Sequence, residues 1–224
     1  MPDNAREMRS AIEAGTLFAA VRFSREAPPH SEARIRAVIE LRAYSKEHET
    51  VRERLRELLK DDDILTRILA AEALSVAGAY PEEAVPVLQM FLDYARKAGQ
   101  VDHYHAWLAM CFLALIHYGT RATSAFRSVL FYIYQQDNVR LKLGAVEVIA
   151  RFAKTSKASR ILLRGLCNSK MPEVKERVRH IVESREFREY MGEKGWMAWL
   201  VSTKQGIPRD DIAQQCSEGQ RPVE

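Results

Sequence analysis

Three cysteines, ten glycines and eight prolines are all that 224 residues hold of the types that staple, loosen or break a chain. The cysteine count is odd and no CxxC pair occurs, which leaves no disulfide framework to read. Cys111 and Cys167 fall inside apolar helical patterns, as free thiols of a reducing compartment do. Few glycines and prolines fit a chain that is mostly helix. The longest apolar run, Ala106 to Ile116, is 11 residues, well short of the roughly 20 that cross a bilayer. Arg6, Glu7, Arg9, Glu13 and Arg22 interrupt the apolar stretches near the N-terminus, so no secretory signal is expected and the expected location is cytoplasmic. A GxSxG elbow and a phosphate-cradling loop are both missing. Gly144, Gly165 and Gly192 stand alone.

What is present is ordinary in bulk, with 47% apolar and 29% charged residues and a net charge of +4, as in a soluble globular chain. The order lies in a repeat. Leu65–Leu74 (LTRILAAEAL) returns 74 residues later as Val139–Val148 (VRLKLGAVEV), each with an Asp just upstream and a small pair, Ala70-Ala71 or Gly144-Ala145, at one offset. One further copy between them would make a unit of ~37 residues, the period of helical solenoids.

Helical pairs follow from apolar spacing. The first is 31–46 with 51–60, where Thr50 and Glu53 have the spacing of a capping box. The second is 64–78 with 82–98, opened by Asp61-Asp62-Asp63 as cap and closed by Gly78 and Pro81. Pro86 is expected in the first turn of its helix, where a missing N–H costs nothing. The third is 103–118 with 123–136, its first helix apolar nearly all round and so expected to be the most buried, Trp107 with it. The fourth is 138–154 with 158–168, and a fifth helix begins at Pro172.

Asp63 through Gly78, Glu82 to Leu88 and Asp137 to Ala150 resemble the HEAT-repeat family: an Asp before the first helix, an apolar-Arg step, a small pair and a leucine. The resemblance spans 31–184 and implies an all-α fold, a right-handed α-α superhelix of about four to five antiparallel pairs. Residues 1–30 are then a capping helical segment and linker, 185–214 a C-terminal cap and 215–224 a disordered tail. Trp196 and Trp199 cover the last repeat or serve as a partner-binding peg. Such proteins generally act as scaffolds or adaptors.

Charge supplies the functional hint. Residues 31–99 hold 11 Lys/Arg and 13 Asp/Glu, whereas 121–180 hold 13 against four. Arg140, Arg151 and Lys154 share one side of helix 138–154; Lys157, Arg160 and Arg164 cluster on 158–168; Lys175 and Arg179 continue on the fifth helix. In stacked pairs these would form a basic band for an acidic protein face or for phosphates. The expected function is a non-enzymatic scaffold that binds a protein through its concave face and this band. The alternative is a nucleic-acid-backbone binder, with DNA-glycosylase-like activity as its furthest extension. The band lacks the aromatic interleaving used for base stacking. Charge reversal at Arg160 and Arg164 is expected to weaken capture without lowering stability.

No catalytic, cofactor-binding or metal-binding residue is expected. Asp102, His103 and His105 are close in sequence, but His103 and His105 diverge on a helix and nothing nearby completes a site. His117 reads as a histidine hydrogen-bonded within the stack, while His30, His48 and His180 have no suggestive neighbours.

Overall fold

The computed structural model describes residues 15–98, 104–134 and 138–191. Among these there is no strand: the chain is an all-α array of neighbouring helical pairs, as the resemblance implies. It divides into two compact units, between Arg121 and Ala122. Met8, Ile12, Asp102, His103, Asp137, Trp196, Trp199, Cys216 and the tail 215–224 lie outside the described residues.

The first unit holds α1 (15–26), α2 (Glu32–Tyr44), α3 (Glu49–Leu58), α4 (Ile64–Ala77), α5 (Pro81–Ala98) and α6 (His105–Tyr118). Its centre is α4, which packs against α2, α3, α5 and α6. Thr66 and every residue from Ile68 to Ser75 on it are buried. The small side chains Ala70, Ala71 and Ala73, each 0% exposed, let these neighbours approach closely. This corrects the expectation for 103–118. There α6 buries Leu108, Cys111, Phe112, Ala114, Leu115 and Tyr118 but leaves Leu113 42% exposed and Trp107 only half-buried. An apolar helix is not thereby a central one; α4 is central because four helices lean on it.

Local signals explain how the chain is punctuated. Asp63 is the N-cap of α4, accepting from the N–H groups of Leu65 and Thr66. Gly78 ends that helix at φ 64° and ψ 24°, the left-handed conformation that glycine takes without a Cβ penalty. Two expectations fail for physical reasons. The capping box at Thr50 and Glu53 does not form. Instead α3 begins at Glu49 with His48 as N-cap, and Glu53 accepts a hydrogen bond from the Tyr80 hydroxyl. Pro86 lies inside α5, because that helix already starts at Pro81; its missing N–H removes one bond of the ladder.

A 3-10 stretch, Gly119–Ala125, links α6 to α7. The second unit holds α7 (Phe126–Tyr134), α8 (Val139–Phe152), α9 (Lys157–Leu166), α10 (Pro172–Glu183) and α11 (Arg185–Met191). Its central helix is α8, which packs against α7, α9 and α10 and buries Leu141, Ala145, Val146, Val148, Ile149 and Phe152. Asn138 caps α8 as Asp63 caps α4, and Pro172 occupies the first turn of α10. Aligning those caps offsets the two units by 75 residues, one more than the sequence match, and brings Glu72 onto Glu147 and Leu74 onto Ile149. In this cap-aligned register Thr66 falls on Leu141, Ala71 on Val146 and Ala73 on Val148, each buried in its own unit.

Candidate partner-binding surfaces

Two concave features are built from the first helices of the pairs. In the second unit, α8 presents Glu147, Ala150, Arg151 and Lys154 at i, i+3, i+4, i+7 spacing. Against them α10 presents Arg177, His180, Ile181 and Ser184 at the same spacing, and Phe187 of α11 closes the floor. The cleft has a volume of about 190 Å³. The Arg177 Nε donates to the Glu147 carboxylate, with the glutamate the more buried partner. The acidic group of the cleft is thus paired, and Arg151, Lys154 and His180 line the cleft with apolar Ala150, Ile181 and Phe187.

The eight basic residues read from the sequence do not share one row. Arg140 is exposed in the first turn of α8, on the stripe that leads to Arg151 and Lys154. Lys157 is exposed at the start of α9. The Arg160 guanidinium donates from Nη1 to the Ala153 carbonyl at 2.8 Å, capping the end of α8. Arg164 is half-buried, its Nε buried without a partner. Arg160 therefore carries structural work, and its reversal would touch stability as well as capture. Lys175 and Arg179 are exposed, but their spacing from Arg177 puts them on the opposite side of α10. There Arg179 and Arg164 lie near Cys167: burial raises that thiol pKa, and the two cations oppose the rise. Sequence reading missed Arg177 and His180. The signal was available, since 177, 180, 181 and 184 repeat the spacing of 147, 150, 151 and 154.

In the first unit a groove of about 360 Å³ runs over α2, α4 and α6, lined by Ile35, Val38, Ile39, Leu69, Trp107 and Met110, with Arg42 and Glu72 between them. Glu72 is 4% exposed and takes the Arg42 Nε on both carboxylate oxygens, at 2.9 and 2.8 Å; the Arg42 side chain is 44% exposed. Neither residue stood out in the sequence.

Other groups are held structurally. His117 is 3.2 Å from the Ser75 hydroxyl, within the first unit as expected. His30, expected to lack neighbours, lies 2.9 Å from Asp63. Burial pushes the Cys111 thiol far above its ordinary range, so it is no nucleophile at neutral pH. Among the described residues no three His, Cys, Asp or Glu gather as a metal site, and no helix is long and apolar enough to cross a membrane.

Comparison with known proteins bears on the first unit. A solved structure described as an engineered protein is 13% identical, with 90% of this chain and 93% of that one covered, at a TM-score of 0.49. No curated protein matches. The family model described as HEAT repeats matches residues 25–99. That segment contains the α2/α3 and α4/α5 pairs, with the Asp63 cap, the central small residues and the Gly78 stop just described. Residues 25–99 of this chain are thus similar to HEAT repeats.

Proposed function

We propose that the protein is a non-enzymatic scaffold that holds an acidic segment of another protein against its basic residues. HEAT repeats stack helical pairs into extended surfaces that commonly mediate protein interactions. The observation that carries the proposal is the α8/α10 cleft, where Arg151, Lys154, Arg177 and His180 gather around an apolar floor and the one carboxylate is already paired. A carboxylate side chain entering there gains charge-assisted hydrogen bonds, and a neighbouring aliphatic group gains the floor. Arg140 and Lys157 extend the positive field and steer encounter. On this reading Lys175 and Arg179, on the other side of α10, contribute at most to steering. Binding across the concave face belongs to the same proposal.

The test is fluorescence anisotropy with a labelled Asp/Glu-rich peptide containing leucine, and with a labelled DNA duplex, each over a salt series. Lys154→Glu is expected to weaken the peptide at least tenfold, and Lys175→Glu less than threefold. Equal affinity of Lys154→Glu and the parent chain would remove the cleft from the proposal. Tighter binding of the duplex, falling steeply with salt, would favour the nucleic-acid-backbone reading instead.

A further inference from the structure

The groove over α2, α4 and α6 is a second surface, independent of the basic cleft. Its central ion pair is asymmetric. Glu72 is 4% exposed with both oxygens committed to the Arg42 Nε, whereas Arg42 is 44% exposed and, among the described residues, its two terminal nitrogens make no hydrogen bond. A molecule entering the groove therefore meets a guanidinium whose orientation Glu72 has already fixed, and not the glutamate. The two terminal nitrogens carry four N–H donors, and one from each forms the fork that fits a carboxylate.

Around that fork the groove is apolar. Ile39 is 50% exposed on α2, Leu69 comes from α4, and half-buried Trp107 and Met110 come from α6. Aliphatic Ile35 and Ile39 lead to Arg42 along one stripe of α2, at i, i+4 and i+7. Successive turns thus read aliphatic, aliphatic, cation. A helical ligand has the same rise per turn, so its complement is two aliphatic side chains one turn apart and a carboxylate one turn further on.

We infer that this groove docks an amphipathic helix of a partner protein, its aliphatic face against Ile39, Leu69 and Trp107 and one Asp or Glu on the Arg42 fork. The guanidinium selects the acid, because an apolar side chain leaves its donors unmatched and an amide offers one neutral acceptor in place of two charged ones. The apolar walls supply the area.

A fluorescein-labelled Ala/Gln host helix carrying Leu, Leu and Glu at that spacing is the probe, with its Glu→Gln twin as control. The full chain is expected to bind the Glu peptide saturably and its twin about tenfold more weakly, the discrimination that one lost charge-assisted hydrogen bond gives. Arg42→Gln is expected to bind both peptides alike. Since that change also strands Glu72, Ile39→Glu provides a second readout: unchanged circular dichroism with at least a tenfold loss for the Glu peptide. Lys154→Glu, in the other unit, is expected to leave both affinities where they were, so failure of the basic cleft and of this groove can be told apart. Equal affinities of the two peptides for the parent chain, no saturable binding, or an Ile39→Glu variant that binds as well as the parent would each overturn the inference.

Discussion

Asp63 and Asn138 hold the same position in the two units, and replacing each by alanine separates a cap from a buried polar hub. Asn138 caps α8 with one oxygen that accepts from Arg140 N at 3.1 Å and Leu141 N at 3.3 Å, at a half-buried site. Loss of such a cap costs about 1 kcal/mol. Asp63 does more. It is 2% exposed, and its carboxylate accepts from Leu65 N at 3.3 Å, Thr66 N at 3.1 Å and the Thr66 hydroxyl at 2.8 Å, with His30 2.9 Å away. Asp63→Ala strands those donors, and Thr66 is 0% exposed, so water cannot replace the lost acceptor. An unsatisfied buried donor adds about 1–3 kcal/mol to the loss of the cap, for a total of about 2–4 kcal/mol.

The charge of Asp63 sets the pH window. Burial pushes its carboxyl pKa up, but the bonds from Thr66, Leu65 and His30 outweigh burial and hold it below the ordinary value. A carboxyl that is more acidic folded than unfolded stabilises fully above its unfolded pKa of about 3.9, and that contribution is lost as pH falls through the folded pKa. The assay is urea unfolding followed by circular dichroism, at neutral pH and again in acid. Asp63→Ala is expected to lose two to four times what Asn138→Ala loses at neutral pH, a gap that narrows as pH falls below the unfolded carboxyl value of about 3.9. Asp63→Asn, which keeps one acceptor and no charge, falls between them and loses the acid-dependent part. Equal losses at the two caps, or a gap that does not change with pH, would refute the hub.

Three further outcomes follow. Arg42→Ala leaves Glu72 buried without its cation and is expected to cost about 2–3 kcal/mol, below the usual 3–5 because Arg42 is half in water; Arg22→Ala, at an exposed i, i+4 pair, is expected to leave the urea midpoint unchanged. Gly78→Ala forces a Cβ into the left-handed region and to within 2.8 Å of the Arg121 guanidinium, which itself donates to the Gly78 carbonyl; a loss of about 1–2 kcal/mol is expected in the same assay. Cys111 is 0% exposed and its thiol is held protonated by burial; peptide mapping after alkylation at mildly alkaline pH is expected to leave it unlabelled until urea unfolds the first unit.

The parts of the fold that were legible in sequence are those fixed by contacts within a few residues. Asp63 as a cap, Gly78 as a stop and Pro172 at a helix start each act on neighbouring backbone; the cap of α8 was read one residue early, at Asp137, where the structure has Asn138. The apolar 4-3 spacing of Val139, Leu143 and Val146 reports one helix face whatever packs on it. The misreadings occur where a distant group competes for the same atom. Glu53 had the spacing to cap α3, but the Tyr80 hydroxyl, 27 residues on, takes its carboxylate. Arg160 read as a surface cation because the Ala153 carbonyl it caps belongs to the preceding helix. Trp107 read as core because α6 is apolar, whereas burial is set by how many helices surround a face and not by its composition.

Glu72 shows what kind of signal crosses that limit. An acid between Ala71 and Ala73, on a helix otherwise apolar, cannot stay ionised in the interior without a partner, so its presence alone demands a cation on a neighbouring element. Arg42 meets that demand across the α2/α4 groove in the first unit, and Arg177 meets it for Glu147 across the α8/α10 cleft in the second. Glu72 and Glu147 occupy one position of the cap-aligned units, but their partners come from opposite directions in the chain: from the preceding first helix for Glu72, from the following one for Glu147. The two units therefore share an arginine-paired acid at this position, buried in the first and half-buried in the second, and each supplies its own cation. Such a pair adds little net stability over a well-packed apolar pair. Its consequence is geometric, because the acid anchors an arginine at the rim of a concave surface and fixes where the guanidinium points. In the first unit that rim is otherwise apolar, which favours an amphipathic ligand with a single carboxylate. In the second it also holds Arg151, Lys154 and His180, which favours a ligand with several.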